Sequence, residues 1–136
     1  MIPVHTPIDA DALAAMPVLN LAHVGDGVYE LLVRTALARH GARKLAEQHR
    51  QTVSYVSAPA QARAMERLLP ELTEKEHAIY RRGRNARVHG CPSGCTVAQY
   101  HAATALETLF GWLWLTGQAA RAQALFGYIW EDNNAS

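Results

Sequence analysis

The chain has few cysteines, little net charge and no long hydrophobic run, and each shortage removes a class of protein. Two cysteines in 136 residues cannot staple a disulfide scaffold. Thirteen Lys and Arg against twelve Asp and Glu leave a formal charge of +1, which excludes a strongly basic tail or an acidic solvating region. The N-terminal MIPVHTPIDADALA carries acids and no basic segment ahead of an apolar run, so no signal peptide is expected. The longest nearly uncharged stretch, 102–115, is shorter than the roughly 20 residues that a membrane-spanning helix needs. With 49% hydrophobic and 18% charged residues the chain can bury a core and is not a disordered one. The expectation is one soluble cytoplasmic domain over residues 1–136, its core at about 18–130, with no membrane partner.

The small total charge hides an asymmetry. Eleven of the thirteen basic residues lie between Arg39 and Arg87, against five acids there, so this middle section is net +6 and the flanks are net −5. Basic charge gathered in one section can form a patch for a polyanion, although solvated helix faces give the same count.

Strand alternation and internal repeats are absent and helix signals dominate, so the fold class is all-α. Thr6-Pro7-Ile8-Asp9 predicts a helix start with Thr6 as cap, and Pro17 closes that short helix. Leu21, Val24, Val28, Leu31 and Thr35 step by three and four along an amphipathic helix over 18–40, stopped by Gly41. Further helices are predicted over 42–55, from Ser57-Ala58-Pro59 to Leu69, and from the capping box Thr73-Glu74-Lys75-Glu76 through Tyr80. A long apolar helix over 97–115 and a final one over 118–128 follow a loop, 88–96, that contains Gly90, Pro92 and Gly94.

Two helices carry residues that sit badly with a purely structural role. Glu107 is the one charged residue between Ala102 and Leu115, in a helix apolar on nearly every side and therefore bound for the core. A buried carboxylate costs several kcal/mol unless it is paired, hydrogen-bonded or metal-bound. Pairing with an arginine and a catalytic or metal-binding role are both open. Asp26 lies between Gly25 and Gly27 in mid-helix, where each glycine costs roughly 1 kcal/mol against alanine. That outlay suggests that another backbone or a bulky ligand comes close. Glu30 and Arg34, each four residues on, read as an ordinary surface pair. Carboxylates are the oxygen ligands that Mg²⁺ prefers, and a metal there would face a basic section suited to phosphates.

The run Arg81-Arg82-Gly83-Arg84-Asn85-Ala86-Arg87 carries four arginines and no acid. It falls where a helix gives way to a loop, so it is expected to be solvent-facing and flexible. Arginine forks match phosphate oxygens, and Asn85 is suited either to reading a 2′-hydroxyl or to orienting metal-bound water. His89, Cys91 and Cys95 lie close in sequence, but a structural zinc site wants four ligands and no second pair follows. Trp112, Trp114, Phe126, Tyr128 and Trp130 read as core or dimer-interface residues, since they do not interleave with basic residues as stacking platforms do.

Four blocks, LAHVGDGVYELLVR (21–34), YVSAPAQA (55–62), LTEKEHAIYRRGRNAR (72–87) and YHAATALETLFGWLWLTG (100–117), closely resemble Mini-ribonuclease III, the short bacterial relative of ribonuclease III. The resemblance implies an all-α ribonuclease III endonuclease domain without a double-stranded-RNA-binding domain, working as a homodimer with one active site per subunit. It implies Mg²⁺-dependent cleavage of double-stranded RNA, with Mn²⁺ as a substitute, leaving 5′-phosphate and 3′-hydroxyl ends. The implied role is maturation of the large-subunit (23S) ribosomal RNA precursor, with a ribosomal protein as a possible presenter of the rRNA. Asp26 and Glu107 match the family's catalytic, metal-binding carboxylates. Full-length ribonuclease III has further acids where this chain has Leu19, Ala22 and Thr104, a reduced set shared by Mini-ribonuclease III. The RNA contacts are expected from Arg81, Arg82, Arg84, Asn85 and Arg87 foremost, then Lys44, Arg50 and Arg63.

Two rival readings make different demands. An RNA-binding helical protein that has lost hydrolysis would bind RNA and leave it whole. A structural helical domain would pair Glu107 with an arginine and have no affinity for RNA.

Overall fold

The computed structural model describes residues 6–41, 44–88 and 90–134. Among these residues there are seven α-helices and no strand, the all-α class expected. They are α1 (Ala10–Ala15), α2 (Val18–Arg39), α3 (Leu45–Val56), α4 (Ala58–Leu68), α5 (Glu74–Arg84), α6 (Val97–Leu115) and α7 (Ala119–Asn134), with a 3-10 turn Leu69–Glu71 after α4. No described helix is long and apolar enough to cross a membrane.

The most apolar helix is the central one. α6 buries an almost continuous run from Ala103 to Leu113, and α2, α4, α5 and α7 pack around it. Leu106, Leu109, Phe110 and Leu113 of α6 meet Tyr29 and Val33 of α2, Leu68 of α4, and Leu125 and Ile129 of α7 in one core. The Tyr29 ring stands edge-on to Phe110 and Phe126, at 5.3 and 5.8 Å between centroids. Of the carboxyl-terminal aromatics, Trp112 and Phe126 are buried, while Tyr128 and Trp130 pack partly against the same core.

Local signals set most helix ends. Thr73 and Thr96 each form a full capping box, with Glu76 and Gln99 returning the bond to the cap residue's N–H at 2.9 Å. Ser57 caps α4, with Pro59 in the first turn. The first helix departs from expectation: it starts three residues after Pro7, with the Asp9 carboxylate accepting from the Ala12 N–H, and Thr6 is not its cap. The preceding segment is held elsewhere, because the Ile8 N–H donates to the Leu115 carbonyl (2.9 Å) and Pro7 packs at Gly117, the left-handed residue beyond the end of α6. α3 starts at Leu45 rather than 42, Ala42 and Arg43 lying outside the described residues, and α7 runs past Tyr128 to Asn134.

The buried face of α2 also differs from the predicted stripe. Leu21, Ala22, Gly25, Tyr29, Val33 and Leu37 are buried, whereas Val24 and Val28 are half-buried and Leu31 is 60% exposed. At the crossing itself Ala22 and Gly25 face α6, with Leu21, Tyr29 and Val33 packed on either side, because the close approach of the two backbones at Gly25 leaves no room there for a bulkier side chain. The displaced apolar side chains line an open groove of about 720 Å³ with Trp114 and Phe126.

Candidate active site

Where α2 crosses α6, glycine meets glycine. A methyl group on Gly25 would overlap the Glu107 carbonyl and lie 2.7 Å from the Gly111 nitrogen. One on Gly111 would overlap the Leu21 carbonyl. Asp26 follows the first glycine and Glu107 precedes the second by one helical turn, so the crossing brings the two carboxyl groups to one cleft, near enough for the charge of Asp26 to act on Glu107. Gly27, by contrast, faces open space with nothing within 4 Å; the approach inferred from two flanking glycines belongs to Gly25.

Burial first, and then the adjacent Asp26 carboxylate, push the Glu107 carboxyl up from 4.5 to about 8, while a hydrogen bond from Gln61 pulls it down. Among the described residues no arginine acts on Glu107. The core arginine, Arg121, instead grips Glu76 with two 2.9 Å bonds and donates to the Glu71 carbonyl. That removes the arginine-paired reading of Glu107. Glu30 and Arg34 form the expected surface pair, 3.3 Å apart.

Asp26 and Glu107 open onto a cleft of about 280 Å³. Leu19, Ala22 and Thr104, the places where longer relatives are said to carry acids, line the same cleft, so their neutrality limits its charge to two carboxylates. His23, Tyr100 and Val88 complete it. Among the described residues no three His, Cys, Asp or Glu side chains converge on one point. The arrangement fits a hard cation such as Mg²⁺: two adjoining carboxylates, one of them short of a positive partner, in a cleft with room for water and substrate oxygens.

The arginines are more firmly seated than a flexible loop would leave them. α5 continues through Arg84, and Asn85 is its C-cap. Gly83 is buried, since a methyl group there would lie 2.7 Å from the Ala105 Cα, so the glycine docks the last turn of α5 on α6. Arg81, Arg82, Arg84, Asn85 and Arg87 are exposed, Arg84 resting over the Tyr80 ring at 5.3 Å, and Val88 then enters the cleft wall. Lys44, Arg50 and Arg63 are exposed on the α3 and α4 side; none is among the described residues lining the cleft. In the loop, Cys91 Sγ and Cys95 Sγ are 3.5 Å apart with no third ligand among the described residues; His89 lies outside them.

Sequence reasoning missed His23, Tyr100 and Gln61. For Gln61 a signal existed: it shares the buried stripe of α4 with Ala64, Met65 and Leu68, a polar amide at a core position.

Residues 19–118 match the Ribonuclease III domain family. The chain is 45% identical over 106 residues to the Mini-ribonuclease 3 of Symbiobacterium thermophilum, covering 78% of this chain and 82% of that protein. It is 42% identical over 112 residues to the Mini-ribonuclease 3 of Enterococcus faecalis, covering 81% and 85%. A crystal structure of a Fusobacterium nucleatum protein superposes with a TM-score of 0.79 over 89% of this chain and 97% of that one, at 24% identity, a likeness of fold. An all-α fold with this domain match defines an endoribonuclease of the ribonuclease III class. The chain belongs to the Mini-ribonuclease 3 family within that class.

Proposed function

We propose that this endoribonuclease cleaves double-stranded RNA in the cytoplasm with Mg²⁺, or Mn²⁺ in its place, and acts on the precursor of the large-subunit (23S) ribosomal RNA, which a ribosomal protein helps present. The observation that carries the proposal is the Asp26–Glu107 pair, two carboxylates brought to one cleft at the glycine crossing of α2 and α6. These two residues are the catalytic, metal-holding groups; Mg²⁺ bound there supplies water activation and charge neutralisation at the phosphate. Asp26, which is exposed, and Glu107, which is half-buried beside it, would together hold the ion. Leu19, Ala22 and Thr104 keep the cleft free of further negative charge that would repel the RNA backbone.

Arg81, Arg82, Arg84 and Arg87, with Asn85, take the phosphates and 2′-hydroxyls flanking the cleft. Lys44, Arg50 and Arg63 extend the basic surface beyond it. A-form RNA hides its bases in a deep, narrow groove, so such contacts read shape rather than sequence. The groove beside α2 takes a second copy of the chain: Val24, Val28 and exposed Leu31, on the helix that carries Asp26, form an apolar surface with Trp114 of α6 and Phe126 of α7. A two-fold contact along α2 sets two clefts in fixed relation, one for each strand.

Incubation of wild type, Asp26→Asn and Glu107→Gln with long double-stranded RNA and with 23S precursor in Mg²⁺ tests the reading. Cleavage by wild type alone is expected. Binding without cleavage of either RNA would favour an inactive RNA-binding protein, and no binding at all would overturn the proposal.

A further inference from the structure

We propose that Cys91 and Cys95 form a redox couple, a surface dithiol that a low-molecular-weight disulfide converts into a disulfide bond within one loop. Unpaired cysteines are ordinarily among the most buried residues, yet both of these are only part-buried, and neither belongs to the core or lines the cleft. They are the two ends of the turn Cys91-Pro92-Ser93-Gly94-Cys95, whose path brings those ends together. Gly94 has φ +92°, a left-handed conformation that residues with a side chain avoid, and a methyl group there would meet nothing within 4 Å. Glycine therefore serves the course of the backbone and not packing. The result is a separation of 3.5 Å between the two Sγ atoms. The Pro92 and Cys95 carbonyls also face the thiols, at 3.4 to 3.6 Å, but a thiol is a weak donor, so little holds the sulfurs apart. A disulfide needs them at about 2.05 Å, an approach of roughly 1.5 Å that rotation about two Cα–Cβ bonds on a surface turn supplies.

The chemistry is a two-electron exchange. Partial burial, and then the hydrogen bond and charge of Cys91, raise the Cys95 thiol above its ordinary value, so the first attack falls to Cys91. Its thiolate attacks one sulfur of the oxidant RSSR, releases RS⁻ and leaves a mixed disulfide. Cys95, already beside it, attacks the Cys91 sulfur, forms the internal bond and releases the second RS⁻. The protein loses two electrons and two protons, and the oxidant becomes two RSH. The turn lies between Val88, in the cleft wall, and Thr96, whose capping box starts the helix that carries Glu107. The bond therefore fixes the chain where it enters α6. In a reducing compartment the dithiol is the resting form and the disulfide the transient one.

The test is oxidation of reduced wild type, Cys91→Ser, Cys95→Ser and Gly94→Ala by excess oxidised glutathione at low protein concentration, followed by acid quenching and intact-mass measurement. Wild type is expected to lose about 2 Da, with peptide mapping placing the bond between Cys91 and Cys95, and to regain it with dithiothreitol. Each serine variant should stop as a mixed disulfide bearing one glutathione. Gly94→Ala should close about 10-fold more slowly and accumulate the mixed disulfide, because its turn is strained. Hydrogen exchange of amides 93–99 should slow about 10-fold in oxidised wild type and not in the oxidised serine variants. Glutathione retained on both cysteines, thiols that stay free in excess oxidant, or a bond between two chains would overturn the proposal. So would closure of Gly94→Ala at the wild-type rate, or hydrogen exchange unchanged by oxidation.

Discussion

Alanine at Gly25 and alanine at Gly27 should have opposite effects, although the two glycines flank the same aspartate. At Gly25 the new methyl overlaps the Glu107 carbonyl and stands 2.7 Å from the Gly111 nitrogen. Both are backbone atoms, so α2 and α6 must part by about 1 Å or more, and no rotamer relieves the clash. Overpacking of this kind costs about 3 kcal/mol, from which alanine's better helix propensity recovers roughly 1 kcal/mol. A net loss of about 2 kcal/mol lowers the melting temperature of a domain of this size by about 8 °C. The same displacement separates Asp26 from Glu107, and if these are the catalytic pair as proposed, an error of about 1 Å costs on the order of 100-fold in rate. At Gly27 nothing lies within 4 Å, so alanine gains roughly 1 kcal/mol and raises the melting temperature by about 4 °C. Thermal unfolding at matched protein concentration and cleavage at saturating Mg²⁺ provide both readings. If Gly25→Ala melted within about 2 °C of wild type and cleaved normally, the backbone contact would not be what sets the carboxylate pair, and the reasoning would fail.

Other consequences are more local. Because the folded-state value for Glu107 is raised to about 8 from 4.5, the protonated form favours the fold: metal-free stability should fall as pH rises from about 4.5 to about 8, flatten above, and lose this dependence in Glu107→Gln. Mg²⁺ should restore stability at the alkaline end, as a denaturation series at several pH values would show. Glu76 shows the opposite sign, since its bonds to Arg121 lower its carboxyl. Its contribution is complete above about pH 4.5 and lost as pH falls through the lowered folded value, and Arg121→Met should remove that acid limb and cost about 3 kcal/mol by stranding a carboxylate that is 3% exposed. Arg82→Ala should weaken RNA binding and reduce the magnitude of the slope of log K against log salt by roughly 0.9 if that side chain neutralises one phosphate, measurable by fluorescence anisotropy. Leu31→Lys should shift the protein from dimer to monomer in light scattering without lowering subunit helicity; an unchanged dimer would place the two-fold contact elsewhere.

Much of this protein is legible one segment at a time. Capping boxes at Thr73 and Thr96, the proline in the first turn of α4 and the stop at Gly41 act through bonds between residues a few positions apart, so reading along the chain finds them. The apolar α6, its lone Glu107 and the arginine cluster are likewise plain in composition and spacing. Direction and partnership are different matters. The three-and-four spacing of α2 suggested a core face through Leu21, Val24, Val28 and Leu31, yet beyond Leu21 the tertiary structure turns Ala22, Gly25 and Tyr29 inward, because the close backbone crossing falls at Gly25. Sequence marked both glycines around Asp26; which of them touches a backbone was decided by Gly111, 86 positions beyond Gly25. Gly83 looked like looseness in a basic run and is a docking point on Ala105. Gln61 shows the limit most clearly: its place in the α4 stripe could be read from spacing, but that its amide meets the Val56 carbonyl depends on where α3 ends. The sequence by itself determined the helices, the chemistry available and the family. Only the tertiary structure decided which of those groups meet, because short-range signals act along one helix while a site is made where several cross.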